Sequence, residues 1–118
     1  AVEKDLVAAL AKKLPQATLF SGSLREFALF IKKARLLLIN DTGPFHLACA
    51  LKTPAIACYS PLDPAICGTY QKSSGHIIYK KPLCQPCLRR KCANPICLAQ
   101  ITPEEVLAKA EVLLRNSP

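Results

Sequence analysis

Two unbroken apolar runs constrain this chain more than any other feature: LLLI at residues 36–39 and AIACY at residues 55–59. A strand that is apolar at every position is covered on both faces, as in a parallel sheet sandwiched between helices. The residues between the runs predict a helix from Pro44 to Leu51, with the proline in the first turn, where its missing N–H costs nothing. HIIY (76–79) reads as a further strand and ATLF (17–20) as a short one. Helical spacing brackets these runs. Val2, Leu6, Ala9, Leu10 and Leu14 predict a helix over 2–14, stopped by Pro15. Ser23 and Glu26 form a capping box ahead of Leu24, Phe27, Ala28, Ile31 and Ala34. A second box, Thr102 to Glu105 with Pro103 at the first helical position, opens a helix carrying Val106, Leu107, Ala110, Leu113 and Leu114 on one face. Strands alternating with helices indicate an α/β domain with a mainly parallel sheet. Residues 80–102 are the exception, a Pro- and Cys-rich loop too long for an ordinary connection.

At 118 residues and 51% hydrophobic, the chain is long and apolar enough for one compact domain over 1–118, and it is not of disordered type. No apolar run reaches the length of a membrane span, and the N-terminus has no signal-peptide pattern. The chain opens inside a helical pattern without Met, which reads as a piece of a longer protein. Its net charge of +8 favours anionic partners, and residues 64–103 hold six basic residues and no acidic one. Nucleotide phosphates, nucleic acid, anionic lipid headgroups and a phosphorylated glycan all suit that charge; scattered lysines that only aid solubility are the plainer reading. Cys49 and Cys58 sit in apolar runs as small hydrophobes. With no export signal, the seven cysteines are expected as reduced cytosolic thiols.

The stretch NDTGPFH (40–46) follows the first apolar run directly. In parallel α/β sheets ligands sit beyond the carboxyl ends of the strands, and the expected helix at Pro44 aims its free N–H groups and positive dipole end at this loop. Gly43 permits close backbone approach or a positive φ. Thr42 supplies a hydroxyl, Asp41 an acceptor for sugar hydroxyls or for the backbone, and His46 a donor to phosphate oxygen. The same residues also read as a helix cap followed by a surface histidine. Both readings stand on spacing alone, and no G-x-G-x-x-G fingerprint is present.

NDTGPFHLACALKTPAIACYSPLDP resembles the D-T-G-x-x-H-x-x-x-A-L-x-x-P signature of the heptosyltransferases, glycosyltransferase family 9, with SPLDP where members carry GPTDP. FSGSLREFALFIKKARLLLIND upstream and CQPCLRRKCANPICLAQITPEEVL downstream are similar to the family's segments in the same order. The resemblance implies a Rossmann-like parallel sheet flanked by helices, the C-terminal half of a GT-B glycosyltransferase, which binds ADP-heptose for transfer to the lipopolysaccharide inner core. It implies donor binding by Asp41, Thr42, Gly43, Pro44 and His46, with the turn at Pro61, Leu62 and Asp63 nearby and Glu3 at the ribose. The general base belongs to an N-terminal, acceptor-binding domain that this chain lacks, so no catalytic residue is expected here, and the chain alone is expected to bind donor weakly and transfer nothing. The implied reaction is an inverting displacement requiring no metal cofactor. It would run in the cytoplasm, with the basic surface facing a phosphorylated glycan or the inner membrane.

Cys84, Cys87, Cys92 and Cys97 are spaced C-x2-C-x4-C-x4-C, a spacing that suits a tetrahedral structural zinc site. It is also the spacing of a zinc knuckle with Cys in place of His, and Arg89, Arg90 and Lys91 within it suit nucleic acid. The loop lacks the aromatic and glycine residues of a knuckle, and plain thiols in a packed loop are the competing reading. A nucleic-acid-binding module and a non-catalytic sugar-nucleotide-binding domain are therefore the alternatives to the glycosyltransferase.

Overall fold

The computed structural model describes residues 2–68, 74–84, 87 and 91–116, with only the backbone described for Val2 and Glu3. In chain order the elements are α1 (Val2–Lys13), α2 (Leu24–Lys33), β1 (Leu37–Asn40), α3 (Gly43–Ala50), β2 (Ala55–Tyr59), α4 (Pro64–Cys67), β3 (Gly75–Tyr79), α5 (Ile96–Ala99) and α6 (Pro103–Arg115). The three strands form one parallel sheet in the order β1-β2-β3. Leu37 lies opposite Ala55 in the first pair and Ala55 opposite Gly75 in the second. This is the parallel α/β arrangement that the apolar runs predict, in the Rossmann-like form that the family resemblance implies.

The two-residue period of a strand sends alternate side chains to opposite faces. Ala55, Ala57 and Tyr59 point to the face covered by α2 and α3, where they pack with Ile31, Phe45, Ala48 and Cys49 into the main core. Ile56 and Ile78 point the other way and meet Ala110 of α6 in a smaller cluster. Full burial of Ile56 is worth about 1.5–3 kcal/mol.

Local chemistry fixes several element ends. The Ser23 box forms in full: its hydroxyl accepts from the Glu26 N–H at 3.3 Å, and the Glu26 carboxylate accepts the Ser23 N–H at 2.7 Å. The Ser23 hydroxyl, donating to that carboxylate at 2.7 Å, and then the Ser23 N–H hold the Glu26 carboxyl below its ordinary pKa. Helix α3 closes in a Schellman motif, with the Thr53 N–H on the Ala48 carbonyl at 2.9 Å and the Lys52 N–H on that of Cys49 at 3.1 Å. Lys52 occupies the left-handed position of that motif, at φ 60°. Buried Thr53 then donates its hydroxyl to the Ile31 carbonyl at 3.2 Å, tying the end of α2 to the entry of β2.

Four expectations are corrected. ATLF is not a strand: among the described residues it pairs with none, and Phe20 instead stacks on Phe30 with ring centroids 5.1 Å apart and tilts against Phe27 at 5.7 Å. LLLI is not covered on both sides, because β1 is an edge strand on which Leu38 is 55% exposed. Leu38 and Leu107 instead line an open apolar groove between the sheet and α6. The second capping box closes on one side: Thr102 accepts from the Glu105 N–H at 3.3 Å, but the Glu105 carboxylate turns to Lys80 Nζ at 2.8 Å. The apolar face of α1 finds no cover either, leaving Leu6, Val7, Leu10 and Leu14 exposed. The short helices α4 and α5 lie in stretches that carry no helical periodicity.

Candidate functional site

Parallel pairing puts the carboxyl ends of β1 and β2 side by side, with Asn40 opposite Cys58. The loops leaving them, 41–43 and 60–63, therefore open at the same end of the sheet, where a parallel α/β fold places ligands. Asp41, Thr42, Gly43, Pro44 and His46 all lie in the first of these loops or in the opening turn of α3. The structure brings these five together. Glu3 is not tested, since its side chain lies outside the described residues.

Thr42 occupies the N-cap position with extended backbone, yet its side chain makes no cap hydrogen bond. Its hydroxyl donates instead to the Asn40 carbonyl at 3.3 Å. No acidic residue lies in the first turn of α3, so the positive end of that helix dipole is not offset from within the helix. The capping reading therefore fails for Thr42. Gly43 does not take a positive φ, and a Cβ built on it would meet no atom within 4 Å. Among the described residues nothing requires glycine there. Pro44 is half-buried, and His46 is exposed beside Phe45, their ring centroids 5.7 Å apart.

Asp41 has a partner that spacing did not suggest. Tyr59, fully buried at the carboxyl end of β2, donates its hydroxyl to the Cys67 carbonyl at 2.9 Å. The Asp41 carboxylate lies close enough to act on the same hydroxyl. Burial first, and then the charge and hydrogen bonding of Asp41, push the Tyr59 phenol far above the ordinary tyrosine range. Phe45 braces the ring edge-on at 5.9 Å. The signal available in the sequence was a tyrosine ending an otherwise apolar buried strand, because such a hydroxyl needs a partner.

The SPLDP turn is held from within. The Asp63 carboxylate accepts the Ala65 N–H at 2.8 Å as the N-cap of α4, and the Ser60 hydroxyl donates to the Cys97 sulfur at 2.8 Å. Cys84, Cys87, Cys92 and Cys97 line a single cavity, but among the described residues no three His, Cys, Asp or Glu side chains stand together as ligands for an ion. Arg89 and Arg90 lie outside the described residues, while Lys91 is exposed. Among the described residues no helix is long and apolar enough to cross a membrane.

Comparison with known proteins gives this geometry a family. The chain is 29% identical to lipopolysaccharide heptosyltransferase 1 of Pseudomonas aeruginosa, over 97% of this chain and 37% of that protein. It is 29% identical to lipooligosaccharide heptosyltransferase 2 of Campylobacter jejuni subsp. jejuni serotype O:2, over 70% of this chain and 26% of the relative. A shorter match to lipopolysaccharide heptosyltransferase 1 of Salmonella typhimurium is 41% identical over 43% of the chain and 16% of the relative. The chain thus spans little more than a third of the length of these relatives at most. No solved structure matches it. The family described as glycosyltransferase family 9 (heptosyltransferase) matches residues 2–97, most of the sequence. The chain belongs to that family.

Proposed function

We propose that this chain is the donor-binding, C-terminal domain of a GT-B glycosyltransferase that transfers heptose from ADP-heptose to the lipopolysaccharide inner core. The observation that carries the reading is the opening of α3: an N-cap threonine that does not cap, followed by a glycine the fold does not require. A diphosphate explains both. It would accept the N–H groups of the first turn and the Thr42 hydroxyl, and it needs the space a side chain at 43 would fill. Pro44 starts the helix without adding a donor, and His46, one turn on and exposed, is placed to donate to a phosphate oxygen. Asp41, beside them, accepts a hydroxyl of the sugar.

In that reaction a base from the rest of the protein takes the proton of the acceptor hydroxyl, whose oxygen attacks the anomeric carbon. The bond to the diphosphate breaks, and the negative charge growing on ADP is met by the positive end of α3. The donor domain supplies binding and leaving-group stabilisation, and the chain alone does not transfer sugar. The basic stretch 64–103 faces the phosphorylated acceptor or the inner-membrane surface on the cytoplasmic side.

The test is a calorimetric or NMR titration of the chain with ADP and with ADP-heptose, beside Asp41→Ala and Thr42→Ala. Expected is saturable binding with shifts on residues 41–46, weakened about tenfold by each variant, or about 1.4 kcal/mol. Heptose should add affinity that Asp41→Ala removes. Failure of either nucleotide to saturate at millimolar concentration would overturn the reading.

A further inference from the structure

The segment after β3 carries chemistry that donor binding does not use. Cys84, Cys87 and Cys92 lie in it, and Cys97 sits in α5. All four line one cavity of about 220 Å³ at the Ser60–Pro61 turn, beyond the carboxyl end of β2. Among the described residues no carboxylate and no imidazole reaches this cavity; its other polar walls are Ser60 and Asn94. None of the seven cysteines is in a disulfide.

We infer that Cys84, Cys87, Cys92 and Cys97 bind one thiophilic divalent ion, Zn²⁺ by preference, in a structural site that fastens the 81–98 segment to the Ser60–Pro61 turn. Three observations converge on it. A sulfur-only donor set selects soft or borderline ions over Mg²⁺ or Ca²⁺, and four thiolates at short spacings close a tetrahedral site with no position left for chemistry. The Ser60 hydroxyl donates to Cys97 Sγ at 2.8 Å, the kind of outer contact that orients and stabilises a metal-bound thiolate. Zinc with four thiolates carries a net charge of −2, which suits the composition of residues 64–103, six basic residues and no acidic one.

The sulfurs do not surround one point in the structure, so the ion has to draw them together. The described residues of 81–95 belong to no helix or strand, and no ladder resists that movement. Binding converts four thiols to thiolates and releases their protons to solvent, so affinity falls on acidification. The site concerns how the turn beyond β2 is held and is independent of whether ADP binds.

The chain is purified without chelator under a non-thiol reductant, its zinc is measured by mass spectrometry, and zinc is then exchanged for Co²⁺. Expected is about one zinc per chain, with thiolate-to-cobalt charge transfer and the strong visible bands of a tetrahedral site. The double variant Cys84→Ser/Cys87→Ser loses the ion, while Cys58→Ser, outside the cavity, keeps it. Should the double variant fail to fold, chelator added to the unaltered chain must still release one zinc and bare reactive thiols. Fully reduced chain that takes up no zinc, or a pale octahedral cobalt spectrum, overturns the inference. So does a disulfide among these four cysteines with no zinc uptake once it is reduced.

Discussion

The loops leaving β1 and β2 lie side by side, and each is followed by a helix with proline in its first turn, yet the glycine that opens the first helix and the one that closes the second answer to different demands. After β2, a Cβ on Gly68 would run into the Pro64 carbonyl oxygen, and Asp63 is occupied capping α4. The fold itself accounts for those residues. After β1, Gly43 faces open space and Thr42 leaves its cap position unused. A residue whose identity its own chain does not explain is where an external partner is to be sought, and that contrast separates the loop before α3 from a merely structural one.

The largest effect expected on that contrast is at Gly68. Gly68→Ala forces a methyl against backbone that cannot move aside cheaply, and should cost about 2–4 kcal/mol of unfolding free energy in a denaturant titration. Gly43→Ala should leave stability within about 0.5 kcal/mol while lowering ADP affinity at least about tenfold, or about 1.4 kcal/mol. If Gly43→Ala proved as destabilising as Gly68→Ala, the two loops would be alike and the argument for a ligand at α3 would collapse. The caps give a smaller version of the same comparison. Asp63→Ala should cost about 1 kcal/mol, as loss of a working N-cap does. Thr42→Ala, which removes no cap bond, should cost a few tenths at most. Equal losses in the melting curves would contradict the reading of Thr42.

How far all this could be read beforehand depends on the range over which each feature is decided. The strands AIACY and HIIY, the Ser23 box and the helices behind Ser23 and Thr102 were legible because the chemistry acts within a few residues. Features decided by distant partners were not. LLLI is apolar throughout, but only the lateral position of β1 leaves Leu38 uncovered. Glu105 stands where a capping-box glutamate should, and Lys80, brought in by β3, takes its carboxylate. ATLF has strand composition but no ladder to join, so Phe20 went to the nearest rings. In the site, residues 41–46 were legible as a turn running from a strand into a helix opened by Pro44. The meeting of Asp41 with Tyr59, far apart in sequence, exists only once β1 and β2 are paired.

Tyr59 joins the two contrasted loops, holding Cys67 on one side while Asp41 acts on it from the other. A further predicted effect is the coupling across it. A double-mutant cycle of Asp41→Ala with Tyr59→Phe should return an interaction of about 0.5–1 kcal/mol, at the lower end of the range for groups in contact. Its pH dependence has a definite sign. The folded phenol holds its proton above the ordinary value of 10.0. The stability this provides is therefore complete below pH 10 and erodes as pH rises beyond it, where the unfolded chain ionises first. Tyr59→Phe removes that alkaline erosion, so its stability deficit against the unaltered chain should narrow above pH 10. In Asp41→Ala burial, with a smaller part from Cys67 and Cys49, still raises the phenol, and the erosion should level off at a lower pH. A zero coupling together with identical alkaline melting curves in all three variants would mean the loops are independent. The loop after β1 would then owe its shape to α3 alone.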